Sequence, residues 1–213
     1  MKQKNKSMHD FEEMSKRHFN AQAKKYDEKE IVYYSKFPKV SCRDVAKRLE
    51  KYSFEKLLDV GCGTGFMIEL LKKQKDAQYH GLDLSPEMIK VAKSKFHESV
   101  HLVVGTADAL PYDDNSFDVV CCVQSFHHYP YPEKAMNEAY RILKPGGLYI
   151  LSDTGCSGIV KFFYNFVFRH CIKSGDYAAY SRKDIEKLMV KTGLSVIASE
   201  KISGFVFTVV GKK

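Results

Sequence analysis

The chain has 213 residues, 44 % of them hydrophobic and 28 % charged, with a formal net charge of +8. That length predicts one domain burying roughly 70 % of its unfolded surface, which removes any need for disulfides or a structural metal. No apolar run approaches the roughly 20 residues of a membrane span, and MKQKNKSMHDFEEMSKR lacks the apolar stretch of a signal peptide, so a cytoplasmic protein is expected.

The positive charge is spread along the chain, as scattered surface lysine would leave it, although it could also favour nucleic acid or an anionic membrane. Six cysteines (Cys42, Cys62, Cys121, Cys122, Cys156, Cys171) form no Cys-x-x-Cys motif. Reduced and mostly buried thiols are expected, with no metal site. Cys121 and Cys122 are adjacent in a strand-like run, which turns their side chains to opposite faces.

In chain order, residues 1–30 read as polar and helical, and 40–52 carry helical spacing through Val40, Val45, Ala46 and Leu49. Strand-like runs follow at Lys56–Val60, Gln78–Leu82, Val100–Gly105, Phe117–Val123 and Leu148–Ser152, with helical runs at 66–73, 86–96 and 132–143 between them. Pro86 and Pro132 suit first helical turns, and Lys144-Pro145-Gly146-Gly147 is a breaker that stops the third helix. Beyond Gly155 comes an apolar, aromatic stretch, GIVKFFYNFVFRHCIK. Ser181 and Asp184 form a capping pair for a helix through Ile185, Leu188 and Met189, and Gly193 suits its end. SVIASEKI and FVFTVV, separated by Ser203-Gly204, predict a closing antiparallel hairpin. Alternating strands and helices imply an α/β fold: a mostly parallel, doubly wound sheet with helices on both faces and an antiparallel C-terminal strand. Ligands in such sheets sit at the carboxyl ends of the strands.

LLDVGCGTG, residues 57–65, marks such a place. A dinucleotide fingerprint is G-x-G-x-x-G, whereas here Phe66 stands where the last glycine should be. Asp59 near the end of the first strand, Asp83 after the second and Asp108 after the third bring three acids to one mouth. Such a ring repels a pyrophosphate and attracts a sulfonium and an ammonium, which favours S-adenosylmethionine over a nicotinamide dinucleotide.

The strings LLDVGCGTG, GLDLSPEMIKVAK, GTADALPYDDNSFDVVCCVQSFHH and EAYRILKPGGLYILSD resemble the class I S-adenosylmethionine-dependent methyltransferases. Within them the likeness is nearest to the branch of ubiquinone and menaquinone C-methyltransferases and other small-molecule enzymes. It covers roughly residues 19–153, and FNAQAKKYDE is similar to that branch's N-terminal pattern. The resemblance implies a Rossmann-like seven-stranded sheet and S-adenosyl-L-methionine as cofactor. It implies that Asp59, Gly61, Cys62, Gly63 and Gly65 line the methionine part and that Asp83 takes the ribose hydroxyls. It also implies that Leu84 and Met88 pack on the adenine, and that Asp108, with Ala107 or Ala109, meets the adenine edge. Gln124 would reach the amino-acid end, and Tyr26 would close over it. Met88 reads equally as plain core; a helix-capping acid for Asp83 and a surface acid for Asp59 are lesser alternatives.

Gln124-Ser125-Phe126-His127-His128-Tyr129 faces the transferring methyl in this fold, so His128 or His127 is a candidate base, or else a wall of the pocket. The Asn/Asp-Pro-Pro-aromatic segment of DNA amino-methyltransferases is absent, and so is a Pro-Cys nucleophile. A small-molecule acceptor, aromatic or lipid-like, is therefore expected. RNA or protein methylation and a non-catalytic cofactor-binding protein are the alternatives, and a homodimer is left open. One domain over 1–213 is expected, with 1–52 covering the cofactor site and 155–180 as a helical insert. That insert reads as a substrate lid, as ordinary core, or as a surface for a membrane or a second subunit.

Overall fold

A computed structural model describes residues 7–26, 36–170 and 174–213. The parts of the N-terminal reading on 1–6 and 27–35, and the thiol of Cys171, lie outside them. Helix α1, Met8–Gln22, opens with a reciprocal cap between Ser7 and Asp10, and a single 3₁₀ turn, Ala23–Lys25, follows it. Helix α2, Lys36–Leu49, precedes the sheet and buries Cys42, Val45, Ala46 and Leu49.

The sheet has seven strands in the order β3-β2-β1-β4-β5-β7-β6. They are β1 Lys56–Val60, β2 Gln78–Asp83, β3 His101–Val104, β4 Phe117–Val123, β5 Leu143–Thr154, β6 Ser195–Ser203 and β7 Val206–Lys212. The first five run parallel, and β7 is antiparallel to both β5 and β6. Strand order reverses between β1 and β4, so a crevice opens at their carboxyl ends. In register, Asp59 lies between Gly81 of β2 and Cys121 of β4.

Helices α3 Phe66–Lys72, α4 Pro86–Phe96 and α5 Pro132–Ile142 cross over between strands, and α7 Arg182–Thr192 precedes the hairpin. Both sheet faces are covered. Val45, Leu49, Ile68, Leu71 and Ile89 pack on one face with Cys121, and Met136, Ile142, Ile185 and Met189 pack on the other with Cys122. The two thiols thus part to opposite faces, as period-two alternation requires. Local caps match their residue types. Ser85 caps α4 ahead of Pro86, Ser181 and Asp184 cap α7 reciprocally, and Gly193 ends α7 in the left-handed region.

The breaker cluster behaves differently from the sequence expectation. Helix α5 stops at Ile142, but Lys144-Pro145-Gly146-Gly147 is no loop. Strand β5 already begins at Leu143, which pairs with Phe117, and the register shifts before Val119 meets Leu148. Lys213 holds this stretch from the far side: its carbonyl accepts from Gly146 N–H at 2.8 Å, and its own N–H donates to Gly147 at 3.0 Å. A long-range partner satisfies a backbone that local propensity would have left open.

Candidate active site

A cavity at the carboxyl ends of β1, β2 and β4 is roofed by α1, through Glu12, Ser15 and Phe19. Its floor is the glycine turn. At Gly61 (φ 76°) a Cβ would lie 1.9 Å from the Ser125 hydroxyl, and at Gly65 (φ 86°) it would lie 2.3 Å from the Phe96 ring of α4. Only glycine fits either place. Gly61, Cys62 and Gly63 line the cavity, and Gly65 does not. Gly65 instead lets α3 start tight against α4, the close-packing job that a dinucleotide loop gives to its last glycine.

Four acids face the cavity: Glu12, Asp59, Asp83 and Asp108, and among the described residues no lysine or arginine lines it. Asp83 ends β2 and holds the turn. Its Oδ2 accepts from Gly63 N–H and its Oδ1 from Ser85 N–H, both at 2.8 Å. Burial pushes its pKa up, and those two hydrogen bonds pull against it. A carboxylate has about four acceptor positions, so two remain for a ligand. Asp59 is 2 % exposed, and its Oδ1 accepts no hydrogen bond from the described residues. Burial, with the nearby charge of Asp83, lifts its pKa to about 7.

Leu84, Met88, Ala107, Asp108, Gln124, Tyr26 and His128 also line the cavity, whereas Ala109 and His127 do not. Among the described residues Gln124 is one of three non-glycine residues with positive φ (52°), and its Nε2 donates to Ser41 of α2 at 2.8 Å. Such a conformation persists only where the surroundings hold it.

The two histidines, adjacent on the turn after β4, differ in environment. His127 is held from both sides: its Nδ1 lies 2.7 Å from Asp153 Oδ1, its backbone N–H donates to Asp153 Oδ2, and its Nε2 lies 3.5 Å from Asp176. Burial lowers its proton affinity, but the two carboxylates outweigh that and raise the pKa to about 9. The ring is an imidazolium at neutral pH, behind the cavity wall. His128 lines the cavity, edge-on to Phe19 with ring centroids 5.0 Å apart, and its Nδ1 lies 3.2 Å from Ser15 Oγ. Burial, then the charge of His127, push its pKa below the usual histidine value. Of the two, His128 alone is a neutral imidazole open to a ligand. His127, His128 and Asp176 have metal-ligand chemistry, with ligating atoms within 4.8 Å of one another. The imidazolium bridging Asp153 and Asp176 accounts for that cluster as an ion pair.

Such a cavity, lined by four acids and among the described residues by no lysine or arginine, suits a cationic ligand. The unpartnered Asp59 Oδ1 asks for a donor, and the ammonium of S-adenosylmethionine is one. Known proteins agree. A family model described as a methyltransferase domain matches residues 58–151. The demethylmenaquinone methyltransferase of Staphylococcus epidermidis is 32 % identical over 177 residues, covering 80 % of this chain and 73 % of that one. The chain belongs to the S-adenosylmethionine-dependent methyltransferases. The enzyme of the same name from Chlorobaculum tepidum is 36 % identical over 108 residues, 51 % of this chain and 44 % of the relative. In fold, the methyltransferase is similar to the 1,6-didemethyltoxoflavin-N1-methyltransferase of Burkholderia thailandensis, solved with S-adenosylhomocysteine. The TM-score is 0.74 at 14 % identity, over 100 % of this chain and 93 % of that one.

The methyltransferase takes its methyl group from S-adenosylmethionine. Several residues around its cavity escape a reading of the sequence. Glu12 and Ser15 come from α1 and Asp176 from the turn after Gly175, where they meet residues more than a hundred positions away in one case and about fifty in the other. Tyr129, whose hydroxyl lies 2.7 Å from Ser125 Oγ and donates to Val60 O at 3.2 Å, props the turn under Gly61. Its place just after the two histidines was the one available signal.

Asp59 also makes a stability prediction for the ligand-free methyltransferase. Its folded pKa of about 7 stands above the ordinary 3.8, so the unfolded chain releases this proton first. The stability it contributes is complete below the unfolded value and is lost as pH rises from about 4 to about 7. Asp59→Asn is expected to raise the melting temperature at pH 8 and to change it little at pH 4. Equal shifts at both pH values in thermal melts would show that the carboxylate is not the cause.

Proposed function

We propose that the acceptor is a quinone-type ring in its reduced, hydroquinone form, methylated on carbon. The observation that carries this is His128: a neutral imidazole in a cavity whose remaining walls include Phe19, Phe66, Val123, Tyr129 and Tyr131. The demethylmenaquinone activity of the relatives supports the same ring chemistry. A ring carbon becomes nucleophilic when the adjacent hydroxyl gives up its proton, and a base within reach of that hydroxyl supplies the activation. His128 would take the hydroxyl proton, the ring carbon would accept the methyl as its bond to sulfur breaks and S-adenosylhomocysteine leaves, and loss of the ring C–H proton with return of the hydroxyl proton would restore the aromatic ring. One proton is released per turnover.

S-adenosylmethionine supplies an electrophilic methyl when bound. Asp83 would hold the ribose hydroxyls with its two remaining acceptor positions. Asp59, Gly61, Cys62, Gly63 and Gln124 would surround the amino-acid part, with Gly65 supporting the turn and Tyr26 closing over it. Leu84 and Met88 would flank the adenine, and Asp108 with Ala107 and Ala109 would meet its edge. His127 keeps a proton and acts on His128 through its charge, so the role of base falls to His128. The N-terminal helices cover this site and exclude water from the transfer. A cytoplasmic protein is proposed. Among the described residues no helix is long and apolar enough to cross a membrane.

The test is transfer of labelled methyl from S-adenosylmethionine to a 1,4-dihydroxynaphthalene with an open 2-position, with RNA and protein offered in parallel. Label in an acid-stable C-methyl group is the expected result. Label in RNA or protein, or in an oxygen-linked methyl of the diol, would overturn the acceptor class or the acceptor atom.

A further inference from the structure

Helix α6, Gly158–His170, is built the wrong way round for a helix on a globular surface. Its polar residues Lys161 and Asn165, four apart and therefore on one face, point at the body of the protein. Lys161 pairs with Asp184 of α7. Asn165 pairs with the backbone of Ala179, accepting from its N–H at 2.6 Å and donating to its carbonyl at 3.4 Å. The apolar residues are turned outward: Ile159 is 73 % exposed, Phe162 69 %, Phe163 59 % and Phe166 55 %, with Val160, Tyr164 and Val167 exposed beside them. None of these lines the cavity. Neither a core nor a closed lid describes this arrangement. A monomer in water gains nothing by presenting such a face, and large exposed apolar patches mark a contact surface.

The surrounding charge indicates what covers it. From Gly155 to Gly175 the sequence has no acid, its basic residues besides the paired Lys161 are Arg169 and Lys173, and the whole chain stands at +8. Aromatic and aliphatic side chains beside basic ones suit the boundary between headgroups and acyl chains of an anionic bilayer. A protein partner would be expected to offer acids against this charge and to receive some in return, and the stretch has none to give. We propose that α6 docks the protein on an anionic phospholipid surface, its apolar face inserted and its polar face gripping the α/β body. Asp176, six positions beyond the end of α6 in the sequence, lies 3.8 Å from His128 Nδ1 at the cavity wall. The choice of lipid over protein rests in part on the proposed quinone-type acceptor, an apolar ring.

The experiment uses the full chain and vesicles of phosphatidylglycerol or of phosphatidylcholine. Co-sedimentation with the anionic vesicles, weakened by salt and at least about tenfold weaker for Phe162→Asp/Phe166→Asp, is expected. The chain has no tryptophan. Phe163→Trp therefore serves as a sole reporter, whose emission should shift to the blue and be quenched by brominated lipid. It keeps the test open if the aspartate variant fails to fold. No sedimentation with anionic vesicles, or a Phe163→Trp emission that ignores them, overturns the proposal. So does a dimer in light scattering that Phe162→Asp/Phe166→Asp dissolves without any lipid binding. Methylation of a water-soluble dihydroxynaphthalene without vesicles separates the two readings. If it proceeds while vesicles are ignored, docking alone has failed; if vesicles bind but no diol is methylated, the acceptor reading has failed.

Discussion

Asp83→Ala is expected to weaken S-adenosylmethionine binding at least about tenfold, or 1.4 kcal/mol, and Asp83→Asn to weaken it by less. Two losses add in the alanine variant. The ribose loses a charge-assisted acceptor, and the amides of Gly63 and Ser85, each 2.8 Å from a carboxylate oxygen, lose theirs. An unsatisfied buried amide costs about 1–3 kcal/mol, so the glycine turn should loosen before any ligand arrives. Asparagine keeps one acceptor oxygen and the shape of the side chain, which spares one amide but not the charge. Calorimetric titration measures both variants. Equal affinity for alanine and wild type, in a protein that still melts cooperatively, would remove Asp83 from the cofactor site and leave it only an acceptor for the amides of Gly63 and Ser85.

This carboxylate was legible before any coordinates because it sits where two local patterns end: the apolar run of β2 and the Ser-Pro start of α4. The same holds for most of the fold. Buried strands announce themselves as short apolar runs, and serine caps and left-handed glycines punctuate the helices. What stayed hidden depends on distance in the chain. Nothing near Leu143 indicates that Lys213 will hold the following turn in the sheet, and nothing near His127 indicates that Asp153 and Asp176 will bracket it. The aromatic run after Gly158 was visible as apolar on most of its circumference. That its polar stripe would face inward follows only once Asp184 and Ala179 are in place. The unsettled choice between the two histidines was of the same kind, since adjacent residues of one type differ only in what the fold sets beside them.

That choice makes the second large prediction. His128→Ala is expected to lower turnover by roughly 10²- to 10⁴-fold, the range of a lost general base, while S-adenosylmethionine affinity stays within about twofold. His127→Ala should act on stability instead. It leaves Asp153 and Asp176 without the cation between them, and breaking a buried pair in this way costs about 3–5 kcal/mol. The pH dependence divides the roles further. His127 has a folded pKa of about 9, above the ordinary 6.5, so its stabilisation is complete below 6.5 and is lost as pH rises towards and through 9. His128 is shifted the other way, first by burial and then by the charge of its neighbour. A base must be unprotonated to act, so activity should fall on the acid side only below 6.5, while stability fails first on the alkaline side. A profile of kcat/KM against pH, recorded beside melting temperatures, measures both limbs. An acid limb at or above 6.5 would mean that His127 carries no charge into the site, and equal turnover in His128→Ala would move the proton transfer to another group.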